Sequence, residues 1–144
     1  VTPPVRHHQR FARQEFASVG LDTAALARKF AAEQLDHWHV PEPTIADAVQ
    51  IVSELVANAA EHSSGHVQVA LNRDEYVLTV TVTDEGESES APHVLKPTEE
   101  AESGRGLFLV AVLAKTWGWY PQLDGTVVWA QVRLRPAARP ADGC

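Results

Sequence analysis

A chain of 144 residues, 44% hydrophobic and 22% charged, has the size and composition of one folded domain with a single core. Its formal net charge of -7 argues against a general electrostatic grip on DNA or RNA, and no apolar run approaches the ~20 residues that span a bilayer. The only cysteine is Cys144, which excludes an internal disulfide and a cysteine-based zinc site. With no visible signal peptide, a cytoplasmic location is the default expectation. The absence of methionine, even at position one, reads as a processed or trimmed protein or as part of a longer one.

Residues 1–20 read as an N-terminal leader with a candidate first strand. Residues 1–9 carry Pro3, Pro4 and the His7-His8 pair, and adjacent histidines diverge on a strand or helix, so no metal site is expected there. Residues 11–19 are the candidate strand, with Phe11, Phe16 and Val19 as apolar contacts. Asp22 or Thr23 then caps a helix to about His37, with Leu26, Phe30 and Leu35 as the buried stripe and alanines as padding. The turn around residues 39–43 ends it. His37 and His39, on either side of Trp38, read as surface residues without a third zinc ligand.

Residues 46–62, ADAVQIVSELVANAAEH, form a second amphipathic helix. Val49, Val52, Leu55, Val56, Ala59 and Ala60 make its apolar face, with Ile51 flanking. Glu54 and Asn58 stand four apart, one turn above the other. Such a pair is either simply solvated or able to orient a hydroxyl through the carboxylate and to ligate a hard cation through the amide oxygen.

Beyond Gly65 the period changes to two. Residues 66–72 and 76–83 read as an antiparallel hairpin about a turn at Arg73-Asp74-Glu75. The second strand ends at Asp84, which suits either an ordinary turn or a buried acceptor for an exocyclic amine. Residues 85–103 are rich in Ser, Glu and Pro, a long polar loop of the kind that serves as a lid or stays disordered. Gly104-Arg105-Gly106 opens a third, strongly apolar helix ending near Gly118. Small residues and first-turn amides there favour an anion, although the same pattern also serves as loop punctuation with Ser103 as a cap. Arg105 adds a cation facing either a phosphate or solvent. Strands at 119–123 and 126–135 close the fold, turned by Asp124-Gly125. Residues 136–144 read as a disordered tail. The expected fold is α+β, a two-layer α/β sandwich whose mixed or antiparallel sheet is covered on one face by helices. Trp38, Trp117, Trp119 and Trp129 are core or partner-surface candidates, and one of the Trp117 and Trp119 rings is expected to stay exposed.

Taken together, SELVANAAEH, VTDEGES and ESGRGLFLV resemble the N box and the two glycine boxes of the Bergerat-fold (GHKL) histidine-kinase-like ATPases, the group that includes histidine-kinase catalytic domains, gyrase and MutL. The resemblance covers roughly residues 22–134, within an expected ATPase domain at 21–135. ARKF, SGRGLFLV and TVVWAQV are most similar to the anti-sigma-factor serine/threonine kinase branch of actinobacterial regulators. No phosphoacceptor-histidine hairpin reads ahead of the domain, so an intact two-component histidine kinase is not expected. The resemblance implies ATP and Mg2+ as cofactors. Asn58 would hold Mg2+, Glu54 would orient or activate the attacking hydroxyl, and Asp84 would recognise adenine. Gly86 would allow close approach to the base, and Gly104 and Gly106 would wrap the phosphates. It also implies an anti-anti-sigma (STAS-type) domain or a sigma factor as partner, and by analogy a homodimer. Two departures stand out: Ser88 replaces the second glycine of the first glycine box amid Glu85, Glu87 and Glu89, and Thr126 stands where relatives often carry lysine. They leave open a partly degenerate, partner-binding switch without kinase activity.

Overall fold

Helical and alternating stretches divide the chain into β1 (Arg10–Phe16), α1 (Thr23–His37), α2 (Glu42–His62), β2 (Val67–Arg73), β3 (Val77–Glu85), α3 (Glu102–Leu113), β4 (Thr116–Gln122) and β5 (Gly125–Arg133). The structure, a computed structural model, describes residues 9–17, 20, 22–62, 65–85 and 102–134, with backbone alone at 62 and 102–106. The strands form one sheet in the order β1-β2-β3-β5-β4. Every neighbouring pair is antiparallel, which settles the predicted sandwich on an antiparallel rather than a mixed sheet.

Strict alternation gives the sheet two unlike faces. Val67, Val69 and Leu71 of β2, Leu78, Val80 and Val82 of β3, and Val128, Ala130 and Val132 of β5 are buried on one face. The register sets Val82 between Val69 and Val128, and Val80 between Leu71 and Ala130. The opposite face carries half-buried Gln68, Ala70, Thr79, Thr81, Thr83, Trp129 and Gln131. The β2–β3 turn is held by Asp74, whose Oδ1 accepts from the Tyr76 and Val77 N–H groups at 2.7 and 2.8 Å.

The helices cover the apolar face. α2 packs on β2, β3 and β5, with α1 and α3 against it. Its buried residues are Thr44, Ala48, Ile51, Val52, Leu55, Val56, Asn58 and Ala59. Ile51, expected only to flank the apolar face, is therefore core, and Ala60 is exposed. A helix covered from several sides buries more than one stripe, which periodicity alone underestimates. α2 begins at Glu42, beside the start that Pro43 and Thr44 suggest, because Pro43 needs no N–H acceptor in a first turn.

In α1 the buried line is Thr23, Ala27, Ala31 and Leu35, spaced four apart. Leu26, expected in that stripe, is 52% exposed. The alanines taken as padding are the contact, since small side chains let α1 approach α2 closely. No side-chain cap comes from Asp22; the Gly20 N–H donates instead to Thr23 Oγ1 at 2.8 Å. α1 ends with His39 in the left-handed region (φ 57). There the His39 and Val40 N–H groups donate to the Asp36 and Leu35 carbonyls, a Schellman closure that leaves the His39 side chain outside.

Four further boundaries differ from expectation. β1 stops at Phe16 rather than residue 19, with Phe16 buried and Phe11 exposed. α3 stops at Leu113 rather than near Gly118, and β4 and β5 begin three and one residues before their predicted starts. Pairing decides this: Thr116, Trp117 and Gly118 lie against Gln131, Ala130 and Trp129. Gly118, read as a helix stop, makes room for an indole, since a Cβ there would sit 2.7 Å from Trp129 Cζ2. Trp117 and Trp119, two apart, share a face; Trp117 packs on the core and Trp119 is the exposed ring. Residues 1–8, most of the predicted 85–103 loop and the 136–144 tail lie outside the described residues. Among the described residues no helix is long and apolar enough to cross a membrane.

Truncation should separate the true core from the predicted one. Ile51→Ala is expected to cost about 2–5 kcal/mol in urea unfolding. Leu26→Ala should stay within about 0.5 kcal/mol of the parent, because its side chain is already largely in water.

Candidate functional site

The alternation that builds the core is broken at one rung. Asp84 continues the buried phase of Leu78, Val80 and Val82, and Thr126 precedes that of Val128, Ala130 and Val132. The register pairs Asp84 with Thr126 across β3 and β5. They are 5% and 3% exposed, and Thr126 Oγ1 has no hydrogen-bond partner among the described residues. Polar groups buried in an apolar face are costly unless satisfied, so this rung needs an explanation beyond packing.

Backbone crowding holds the rung in place. A Cβ on Gly125 would fall on the Asp84 carbonyl oxygen, so only glycine lets β5 lie this close to β3. From the other side, a Cβ on Gly65 would come 3.1 Å from the Glu85 carbonyl oxygen. The Glu85 N–H donates to the His66 carbonyl at 3.0 Å. The Glu85 carboxylate, exposed, stands 3.8 Å from His66 Nδ1.

α2 brings a second polar pair toward the same end of the sheet. Its first turn, at Pro43 and Thr44, borders Val132 and Arg133 at the end of β5, and Arg133 pairs with Val77 at the start of β3. From Thr44 to Asn58 a helix advances about 21 Å; from Val77 to Asp84 a strand advances about 24 Å. Both therefore finish at the pole of the Asp84–Thr126 rung. Asn58 is only 8% exposed beside buried Leu55, Val56 and Ala59. Glu54, half-buried one turn before, accepts a 2.8 Å hydrogen bond from Gln50 Nε2. Next to Glu54, Ser53 Oγ accepts from Arg28 Nη1 of α1 at 2.9 Å.

The glycine pair lies differently from expectation. α3 begins at Glu102, so Gly104, Arg105 and Gly106 occupy its third to fifth positions instead of preceding it, and Ser103 is within the helix rather than its cap. The first four N–H groups of a helix lack intrahelical acceptors, and Gly104 and Arg105 fall among them while Gly106 does not. Gly86, Ser88 and the side chain of Arg105 lie outside the described residues. A cleft of about 420 Å3 at the rung end is lined by Thr83, Asp84, Glu85, Gln122, Leu123 and Asp124. Glu85 thus lines the cleft beside Asp84.

Thr126 and Gly125 join the candidate site only in the fold. In the sequence Thr126 is a departure from a lysine, yet its phase with Val128, Ala130 and Val132 marks it as a polar residue on the core face. Among the described residues no three His, Cys, Asp or Glu side chains gather as a metal cage. Mg2+ bound mainly through phosphates and water needs only one or two protein oxygens, and Asn58 can supply one. A hydroxyl that can donate beside a buried carboxylate that can accept is likewise a pair that fits the edge of a purine.

A one-face-covered antiparallel sheet with polar groups gathered at one pole defines the class as an α+β sandwich of the GHKL type. The chain belongs to the histidine kinase-like ATPase domain family, whose profile matches residues 17–132. Its fold is similar to the crystal structure of the RsbU and RsbW domains of Rv1364c from Mycobacterium tuberculosis, with a TM-score of 0.65 and 23% identity. That match covers 88% of this chain but 34% of the other, so the chain spans about a third of that relative. Comparison with curated proteins finds no match.

Gly125→Ala is expected to lower stability by about 1–3 kcal/mol in urea unfolding, because β5 must retreat from the Asp84 backbone. Thr126→Val should leave the ligand-free protein as stable or slightly more so, since it replaces an unsatisfied buried hydroxyl with a methyl group.

Proposed function

We propose that this chain binds ATP with Mg2+ and acts as a regulator of the anti-sigma-factor kinase type. In this reading it phosphorylates a serine or threonine of a STAS-type anti-anti-sigma domain, sequesters a sigma factor, or does both. The observation that carries the reading is the buried Asp84–Thr126 rung at the pole reached by Asn58, in a chain of the histidine kinase-like ATPase family.

Bound ATP would supply the transferable γ-phosphoryl group and leave as ADP, and Mg2+ would supply charge neutralisation. Asp84 accepts a hydrogen bond from the exocyclic amine of adenine, and Thr126 Oγ1 answers a second polar atom of the base edge. The Asn58 amide oxygen holds the cation. Gly104 and Gly106 keep the first turn of α3 open to phosphate oxygens, with Arg105 as a counter-charge. Glu54 orients the attacking hydroxyl and takes its proton. Phosphoryl transfer asks mainly for such positioning and electrostatic stabilisation.

One observation favours the second reading, a partner-binding switch that does not phosphorylate. Glu85 and Asp124 line the cleft together with Asp84, and negative charge there opposes a polyanionic ligand.

Calorimetric titration with ATP and Mg2+ tests the binding step. The wild-type chain should bind, and Asn58→Ala should weaken binding roughly 10- to 100-fold through the lost cation ligand. Glu54→Gln should keep nucleotide affinity but lose phosphoryl transfer to a STAS-type domain, read by phosphate incorporation. A folded wild type that binds no ATP would sink the kinase reading. Binding without transfer would leave the switch.

A further inference from the structure

The opposite pole of α2 carries a recess that the nucleotide reading does not use. A cavity of about 520 Å3 is walled by Pro43, Thr44 and Asp47 of α2, Lys115 between α3 and β4, and Val132 and Arg133 closing β5. That volume suits a small molecule. In a chain of net charge -7, this wall holds two cations against one carboxylate. Neither Lys115 nor Arg133 forms an ion pair among the described residues. The Lys115 N–H donates to the Gln131 carbonyl at 2.7 Å, which fixes its backbone two residues from Arg133 along β5. Thr44, a polar residue only 3% exposed, stands in the wall beside them. The site does not rest on the helix terminus, since Pro43 has no N–H and the Ile45 N–H is given to the Pro41 carbonyl at 3.0 Å.

The geometry points to a second ligand site here, for a small phosphate monoester. The planar fork of Arg133, the compact charge of Lys115 and the Thr44 hydroxyl together match the several acceptor oxygens of a phosphate better than the two of a carboxylate. Asp47 repels a polyanion and accepts a hydrogen bond from a hydroxyl or amine next to the phosphate. Pro43 and Val132 supply apolar walls for its carbon skeleton. The site lies about 21 Å along α2 from Asn58, so its occupancy is independent of the nucleotide reading.

Inorganic phosphate titrated into the full chain at constant ionic strength, followed by residue-resolved amide NMR, tests this. Saturable shifts are expected at Ala46, Asp47, Lys115 and Val132. Lys115→Gln and Arg133→Gln, both at exposed positions, should each weaken binding about tenfold. Thr44→Val should weaken it too, and Asp47→Asn should strengthen it. Four results overturn the proposal: shifts confined to the Asn58 and Asp84 pole, a linear response without saturation, an equal response to acetate, or single variants that bind phosphate as the parent does.

Discussion

The architecture depends on burying α2 from several sides at once. A helix of 21 residues is about 31 Å long, enough to run the length of the sheet. Ile51, Val52, Leu55 and Val56 are withdrawn from water almost completely, each worth roughly 1.5–3 kcal/mol relative to exposure. Ala27 and Ala31 on α1, and Ala48 and Ala59 on α2, keep the helices close enough for that burial. Among the described residues α2 is the element that packs on α1, α3 and three strands together. Once α2 is pinned, its first turn faces the end of β5 and its last turns reach the opposite edge. A rigid helix thus sets the spacing of everything at both poles.

The sheet supplies the second constraint. Because side chains alternate strictly, a polar residue in the core phase cannot turn away without a register slip, and a slip would invert every neighbour. Asp84 and Thr126 are therefore held in the buried face by Val80, Val82, Val128 and Ala130, whose own burial fixes the register. Gly125 and Gly65 press β5 and the start of β2 against the backbone at residues 84 and 85. A packed core that tolerates this rung bears a cost in stability, and such local inconsistencies are where functional sites are found.

The same physics explains what was legible in the sequence. The β2–β3 hairpin and the run of α1 could be read closely, because a period of two or of four survives tertiary packing. The α+β sandwich followed from the order of those elements, and the Glu54 and Asn58 pair from helical spacing. Leu26 and Ile51 were misplaced because a single helix does not reveal how many neighbours will cover it. The end of α3 was misplaced because an apolar run holding Trp117 and Gly118 satisfies a helix as well as a strand. Only pairing with Gln131, Ala130 and Trp129 chose between them. Thr126 was visible as a phase signal, yet the turn beside it drew attention to a missing lysine instead. The close approach of Gly125 to Asp84 joins residues 41 apart and leaves no local trace.

The proposed binding and transfer would draw on different parts of this molecule. Asp84 and Thr126 sit on two strands locked by the core, and in the proposed reading their contribution to a bound base would be the same in the ground and transition states. Interactions of that kind set affinity and leave the chemical step untouched. Glu54, to which the proposed reading gives the step at the arriving hydroxyl, stands half-buried on the flank of α2 and accepts a hydrogen bond from Gln50. Removing its carboxylate would therefore leave the fold and the base pocket intact. A kinase and a nucleotide-tuned switch can share every buried residue of this fold and differ at one position on the surface of α2.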